Sequence, residues 1–199
     1  MECRIFYETK MVPYEEILNL IHMAFKERVE NNIQFTVASF SLDDLKEHTQ
    51  NGCFITMWDG HLLVGSVTLN RKKKKNLKYG SQDHLAVHPD YKRKGIGRML
   101  LKNLIEVAKK EKMPFVTSTT SVKAISSVNW HKKNGFKILK YDSYYNTNYY
   151  SYWFIKPIDG NLLISVVLLF RLPIFFLSYI ICKIKKNENG KKRFREKSL

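Results

Sequence analysis

The chain has 199 residues, 44% apolar and 13% aromatic, which is enough to bury one good core and too little for two. Its net charge of +16 is spread along the chain: residues 161–199 hold nine Lys/Arg against two acids, and residues 1–160 hold twenty-five against sixteen. Both parts therefore favour anionic partners, whether phosphates, nucleic acid or anionic lipid, while Cys3, Cys53 and Cys182, far apart and without a CxxC or a histidine cluster, indicate neither a disulfide framework nor a metal site.

The N-terminus, MECRIFYETK, carries acids and no apolar core, so no signal peptide is expected and a reducing cytoplasmic setting fits. Residues 3–8 alternate as a short strand. Pro13 suits the first turn of a helix that runs to about Asn31, with Ile17, Leu20, Ile21, Ala24 and Phe25 on one face. Ser41, followed three residues on by Asp44, resembles a capping box and starts a second helix, SLDDLKEHTQ. Cys53–Trp58 and His61–Leu69 flank Asp59-Gly60, a hairpin turn signal, and the RKKKKN run after them reads as a solvated loop. Leu77–Val87 is a strand, Ile96–Lys110 a helix, Phe115–Thr119 a strand and Val122–Lys133 a helix. Phe136–Tyr144 and Tyr149–Ile155 are two closing strands. This order predicts an α/β domain with a mixed sheet and helices packed on its faces.

The turn between the strand ending at Val87 and the helix starting at Ile96 reads HPDYKRKGIGRMLL, residues 88–101. A helix N-terminus offers backbone N–H groups and partial positive charge to an anion. Gly95 and Gly97 allow close backbone approach, and Lys92, Arg93, Lys94 and Arg98 add charge, so the ligand of this turn should carry phosphate. There is no Gly-Lys-Ser/Thr for a Walker A loop, and Leu100 stands where a dinucleotide fingerprint has its third glycine. A second motif, AISSVNWHKKNGF at residues 124–136, is a helix ending in Asn134-Gly135 and leading into a strand.

Together the two segments resemble the GNAT superfamily of acyl-CoA N-acyltransferases. Its first signature is matched by Leu85-Ala86-Val87-His88-Pro89-Asp90-Tyr91 and by Lys92-Arg93-Lys94-Gly95-Ile96-Gly97, and its second by Gly135-Phe136. The departures are Lys92 in place of Gln or Arg, His131 in place of a tyrosine acid, and Ala124 in place of an Asn that contacts the cofactor. The resemblance implies a mixed, mostly antiparallel sheet with helices on both faces over residues 1–158, and acetyl-CoA as co-substrate. In it Leu85, Ala86 and Val87 of an interrupted strand hold the pantetheine and the oxyanion, and the turn from Lys92 through Gly95, Ile96, Gly97 and Arg98 holds the pyrophosphate. Preorganised donors of this kind lower a barrier by about 3 kcal/mol.

Acetyl transfer to a primary amine of a small molecule, by direct attack in a ternary complex, is the implied activity. His84, just before the LAV segment, is the candidate base, with a hydrogen-bonded structural role as the alternative. Asp83, by strand alternation, should face the other side of the sheet. His131 is the candidate acid for the leaving thiolate, with ordinary packing beside Trp130 as the alternative. His88 reads as turn chemistry and Cys53 as core. The acceptor should enter between residues 33–40 and YDSYYNTNYYSYW, residues 141–153, whose six tyrosines suit an aminosugar or small amine and equally an amphipathic hairpin. The alternatives are an acyl-CoA-binding or membrane-surface module without turnover, and a protein N-acetyltransferase. No specific nucleic-acid partner is expected, and a homodimer stays open.

Residues 159–182 form an apolar, membrane-associated segment, and residues 183–199 a basic, disordered tail. The run LLISVVLLFRLPIFFLSYIIC, residues 162–182, is long enough for a transmembrane helix, but Arg171 and Pro173 stand at its middle, where an Arg costs about 2.5 kcal/mol or more. The Lys/Arg cluster after it belongs on the same cytoplasmic side as the domain that needs acetyl-CoA. The expectation is a segment that re-enters or lies flat on the inner face of the cell membrane, with contact over residues 162–186. The competing reading is a helix docked on the domain or on a second copy.

Overall fold

The computed structural model describes residues 1–7, 9–30, 33, 35–143, 148–158 and 171–196. The strands are β1 (Glu2–Phe6), β2 (Gly52–Asp59), β3 (Leu62–Lys74), β4 (Leu77–Val87), β5 (Phe115–Ser121), β6 (Lys137–Asp142) and β7 (Ser151–Pro157). The helices are α1 (Tyr14–Glu30), α2 (Leu42–Thr49), α3 (Ile96–Lys110), α4 (Ile125–Lys133) and α5 (Arg171–Glu196). The sheet order is β1-β2-β3-β4-β5-β7-β6. β4 and β5 pair parallel and the other neighbours antiparallel, so the sheet is mixed and mostly antiparallel.

Two apolar layers follow from strand alternation. On one face Val67, Leu69 and Val116 meet Leu100 and Leu104 of α3 and Val128 of α4. On the other, Phe54 and Ala86 meet Ile17, Leu20 and Ile21 of α1 and Leu45 of α2. The helix starts are encoded locally. Ser41 Oγ accepts from Asp44 N–H at 3.1 Å while the Asp44 carboxylate accepts from Ser41 N–H at 2.8 Å, a complete capping box.

The RKKKKN run is not a loop. β3 continues to Lys74, paired with β4 through Arg71↔Gly80, Lys72↔Tyr79 and Lys73↔Lys78, and the chain turns at Lys75, whose φ is +53°. Past Tyr79, which stacks on Phe115 at 5.0 Å, the ribbon leaves the core, so strand pairing satisfies the backbone while the lysines stay exposed. Arg71 anchors its base with a bidentate contact to Glu111 at the end of α3, at 2.6 and 2.8 Å.

α5 covers the outer edge of the sheet. Phe175 and Tyr179 pack on Tyr141 of β6 at 4.7 and 5.1 Å, and the Tyr141 N–H donates to Ser178 Oγ at 2.9 Å. Residues 162–170 of the apolar run lie outside the described residues. Residues 171–182 are the docked part of α5, as the competing reading had it, and the helix continues through the basic residues to Glu196 where a disordered tail is expected. Among the described residues no helix is long and apolar enough to cross a membrane, so a spanning helix, for which residues 162–182 have the length, is not among them.

Candidate functional site

β4 and β5 pair at Gly80↔Val116 and Ser81↔Thr117 and then part. The cause lies in β4. Its register with β3 shifts between Ser66↔Ala86 and Thr68↔Asp83, so that His84 and Leu85 stand opposite Val67 alone, and His84 takes φ +53°. Such a bulge bends its strand and raises the local twist. A side chain in this left-handed region costs on the order of 1 kcal/mol or more, a strain typical of functional sites. The parted strands open a cleft of about 2170 Å³. A single small-ligand site occupies roughly 300–1000 Å³, so there is room for a long ligand and a second one beside it.

At one end of the cleft lies the turn into α3. Gly95 caps the helix at φ +83° and Arg93 sits at φ +65°, so the backbone alternates in hand and forms a concave nest of N–H groups. Arg98 and Met99 N–H already bond to the Gly95 carbonyl, which leaves the N–H groups of Ile96 and Gly97 as those a helix start presents outward. The two glycines act differently. A Cβ on Gly95 would meet no atom within 4 Å, so its need is the positive φ, whereas a Cβ on Gly97 would lie 3.3 Å from Trp130 Nε1. Gly97 thus admits the indole as well as any ligand. The turn itself is fixed by Tyr91, whose hydroxyl donates to Asp59 at 2.8 Å and whose ring carries Lys94 at 4.4 Å. His88 accepts from the Asp90 N–H at 3.3 Å, which is turn chemistry as expected. Arg93, Arg98 and Lys102 line the same end, and together with the nest they fit a diphosphate.

His84 lies midway along the cleft wall. Its Nδ1 is buried with no hydrogen-bond partner among the described residues. Burial holds its pKa below the ordinary imidazole value; the Asp83 carboxylate acts against that shift, and His48 and Lys72 add to it. The expectation that Asp83 faces away from His84 fails, because the bulge cancels strand alternation. The Asp83 carboxylate accepts from Asn70 Nδ2 at 2.7 Å and from Ser81 Oγ at 2.9 Å. Asn70 lies on the α2 side, where a Cβ on Gly52 would meet both its Oδ1 and the Thr49 carbonyl. His84 turns to that same side, with Phe40 at 5.7 Å and His48 of α2 at 6.4 Å between ring centres. His48 is exposed and lies at the rim. Nothing in the sequence marks His48 except its place one turn after Leu45, the residue that docks α2 on the sheet.

His131 is 4% exposed and stacks on Phe154 at 4.6 Å. Its Nδ1 contacts the Ser127 carbonyl at 2.8 Å, an acceptor only, so Nδ1 carries a hydrogen. Its Nε2 lies 3.0 Å from Ser118 Oγ, which is also 3.2 Å from the Gln82 carbonyl across the point where β4 and β5 part. Ser118 thus stands between the buried ring and the cleft. The sequence gives no sign of it. Ala124 packs with Ile33 and Tyr149, so this position supports the wall of the cleft through apolar contact. Cys53 is fully buried and its thiol is pushed up to about 11, which makes it core.

At the far end the segment after α1 meets the β6–β7 connection, with Phe35 against Tyr149 at 5.3 Å. Thr36, Ser151 and Trp153 line the same end. Residues 144–147 of the tyrosine-rich stretch, and residues 32 and 34, lie outside the described residues. Among the described residues no group of His, Cys, Asp and Glu is placed to hold a metal.

Comparison with known proteins agrees with this geometry. The sequence model described as "Acetyltransferase (GNAT) family" matches residues 15–136. A GNAT-family acetyltransferase from Staphylococcus aureus Mu50 superposes with TM-score 0.60 at 20% identity, over 79% of this chain and 100% of its own. The PaiA N-acetyltransferase from Thermoplasma acidophilum, solved with coenzyme A, superposes with TM-score 0.59 at 18% identity, over 79% and 99%. The ribosomal-protein-S18-alanine N-acetyltransferase from Escherichia coli does so with TM-score 0.60 at 15% identity, over 79% and 94%. Among curated protein sequences none matches.

Proposed function

Because this chain belongs to the acetyltransferase (GNAT) family and uses acetyl-CoA, we propose that it acetylates the primary amine of a small molecule, with an aminosugar or glycan precursor as the acceptor class, by direct attack in a ternary complex. Acetyl-CoA supplies the activated acyl group. The nest at Arg93–Gly97 and the cations around it hold its diphosphate, and the backbone at Leu85, Ala86 and Val87, freed from pairing with β5, faces the arm between diphosphate and thioester.

The observation that carries the reading is the bulge at His84. It parts the strands and sets the neutral His84 ring, whose buried Nδ1 has no partner among the described residues, in the wall at the acceptor side of the opening. The imidazole takes the proton of the incoming amine. His48, at the rim and 6.4 Å away between ring centres, passes it to solvent through one bridging water. In its doubly protonated form, with Nδ1–H on the Ser127 carbonyl, His131 donates its Nε2 proton to Ser118 Oγ as Ser118 passes its own hydrogen to the departing thiolate, since the ring itself is buried. An aminosugar amine near pH 8 needs only a base of this strength, whereas a lysine side chain near about 10.4 needs more.

A peptide α-amino group makes the same demand on the base, and the E. coli enzyme named above is by its name an acetyltransferase of an alanine in ribosomal protein S18. The ring contact of Phe35 with Tyr149 closes the far end of the cleft and favours a compact acceptor. Thiol release from acetyl-CoA across a panel of aminosugars, small amines and peptide N-termini tests this. Turnover with aminosugars supports the assignment. Turnover confined to peptides reassigns the acceptor, and coenzyme binding without turnover on any amine replaces catalysis with a binding role.

A further inference from the structure

Helix α5 has two apolar faces, and among the described residues only one of them is covered. Phe175, Ser178, Tyr179 and Cys182 recur at helical spacing and face β6, with Cys182 only 5% exposed. Opposite them Leu172, Phe176, Leu177, Ile180, Ile181 and Ile184 are 43–61% exposed and form one continuous stripe. Scattered apolar residues on a surface mean little, but a stripe of this size on one helix face marks a contact. The question is what covers it.

Charge decides between the occupants. Residues 183–199 hold eight Lys/Arg against two acids, and they follow directly on the apolar stripe. Two copies of the chain meeting through parallel α5 helices would bring these cations together, and an antiparallel pair would leave them without anionic partners. An anionic bilayer neutralises them and takes up the apolar side chains at the same time. Lys183 already marks the boundary, with its ammonium held over the Tyr179 ring at 4.8 Å. The sequence before the helix, LLISVVLLF at residues 162–170, is apolar and carries no charge.

We propose that the outer face of α5 is a docking surface for an anionic lipid bilayer, on which the helix lies in the plane of the headgroups with Phe176, Leu177, Ile180 and Ile184 inserted. α5 is bound to β6, and the cleft lining of Ser151 and Trp153 belongs to the neighbouring strand β7. Docking therefore holds the acceptor end of the cleft beside the lipid surface, where an amine carried on a lipid-linked sugar is concentrated.

Cosedimentation of the full chain with phosphatidylcholine vesicles, with and without about 30% phosphatidylserine, tests the proposal. The chain should pellet with the anionic vesicles and lose about tenfold or more of that binding at high salt. The variant Phe176→Ser/Leu177→Ser/Ile180→Ser should stay in the supernatant, with an unchanged far-UV spectrum and unchanged acetyl-CoA affinity. Equal pelleting of that variant overturns the proposal, as does a full chain that ignores both vesicle types, which is also the result if residues 161–170 cover the stripe. A dimer in sedimentation velocity that the same variant dissolves, without vesicle binding, assigns the face to a second copy and overturns it as well.

Discussion

His84 carries two costs: it occupies a backbone conformation that side chains avoid, and it holds a polar nitrogen out of water with no partner among the described residues. Structure alone would select a glycine there, and the proposed role of the ring accounts for a histidine instead. His84→Ala should lower turnover by about a hundredfold or more, with acetyl-CoA affinity unchanged by calorimetry. Retained turnover would move the base elsewhere. Since burial lowers the His84 pKa, the ring is neutral at pH 7, and the acid limb of kcat/KM should fall below the usual imidazole range. Asp83 opposes that shift, so Asp83→Asn should displace the limb to still lower pH. A limb that stays in place, or moves up, removes the pair from the mechanism. His131 is separable from it. As a proton donor through Ser118 it predicts that Ser118→Ala and His131→Phe both depress kcat. As packing alone it predicts a loss of about 1–3 kcal/mol of stability in His131→Phe, with kcat per folded molecule intact. His84 and His131 could be singled out in the sequence because each stands at a fixed offset from a sequence motif. Asp83, His48 and Ser118 could not be, since their relation to those rings arises from the bulge and from the crossing of β4 with β5, which local pattern does not encode.

At the scale of elements, boundaries set by local chemistry were legible and those set by pairing were not. The Ser41–Asp44 box and the Gly95 turn fall where the sequence puts them, because caps and positive-φ turns are settled within a few residues. The lysine run was misread because charge speaks for solvent and not for loop, and a paired ribbon is also solvated. The glycine turn gives a prediction with two distinct causes. Gly95→Ala should cost about 1–2 kcal/mol through backbone strain alone. Gly97→Leu should displace Trp130 and narrow the diphosphate end, and acetyl-CoA affinity should fall by about tenfold or more. Equal effects of the two on affinity and stability would contradict the division seen in the structure. For α5, Ser178→Ala leaves the Tyr141 N–H of a strand edge without its acceptor and should cost about 1 kcal/mol, read as a lower Tm and faster proteolysis after β7. No change in either would mean that the edge contact contributes nothing.

For the whole molecule, the alternation of strands and helices was enough to give the mixed sheet, while the role of the C-terminal segment was beyond composition: an apolar run can cover a strand edge or meet lipid, and α5 has a face for each. The cleft and the covered edge lie on different strands, which separates binding from solubility. A chain ending at Ile158 keeps β4, β5, α3 and α4, and Ile158 closes its own strand by donating to the Pro114 carbonyl at 3.0 Å. Such a chain should bind acetyl-CoA as the full chain does. It also bares the β6 edge together with Tyr141 and Tyr152, which otherwise stack under Phe175. Unpaired strand edges with aromatic flanks seek other strands. The truncated chain should therefore self-associate with rising concentration in sedimentation velocity, and Tyr141→Lys on that background should reverse the association by placing a charge at the edge. A truncated chain that stays monomeric would show that α5 is not needed to guard the sheet, and its inner face would then have to be explained by some other contact.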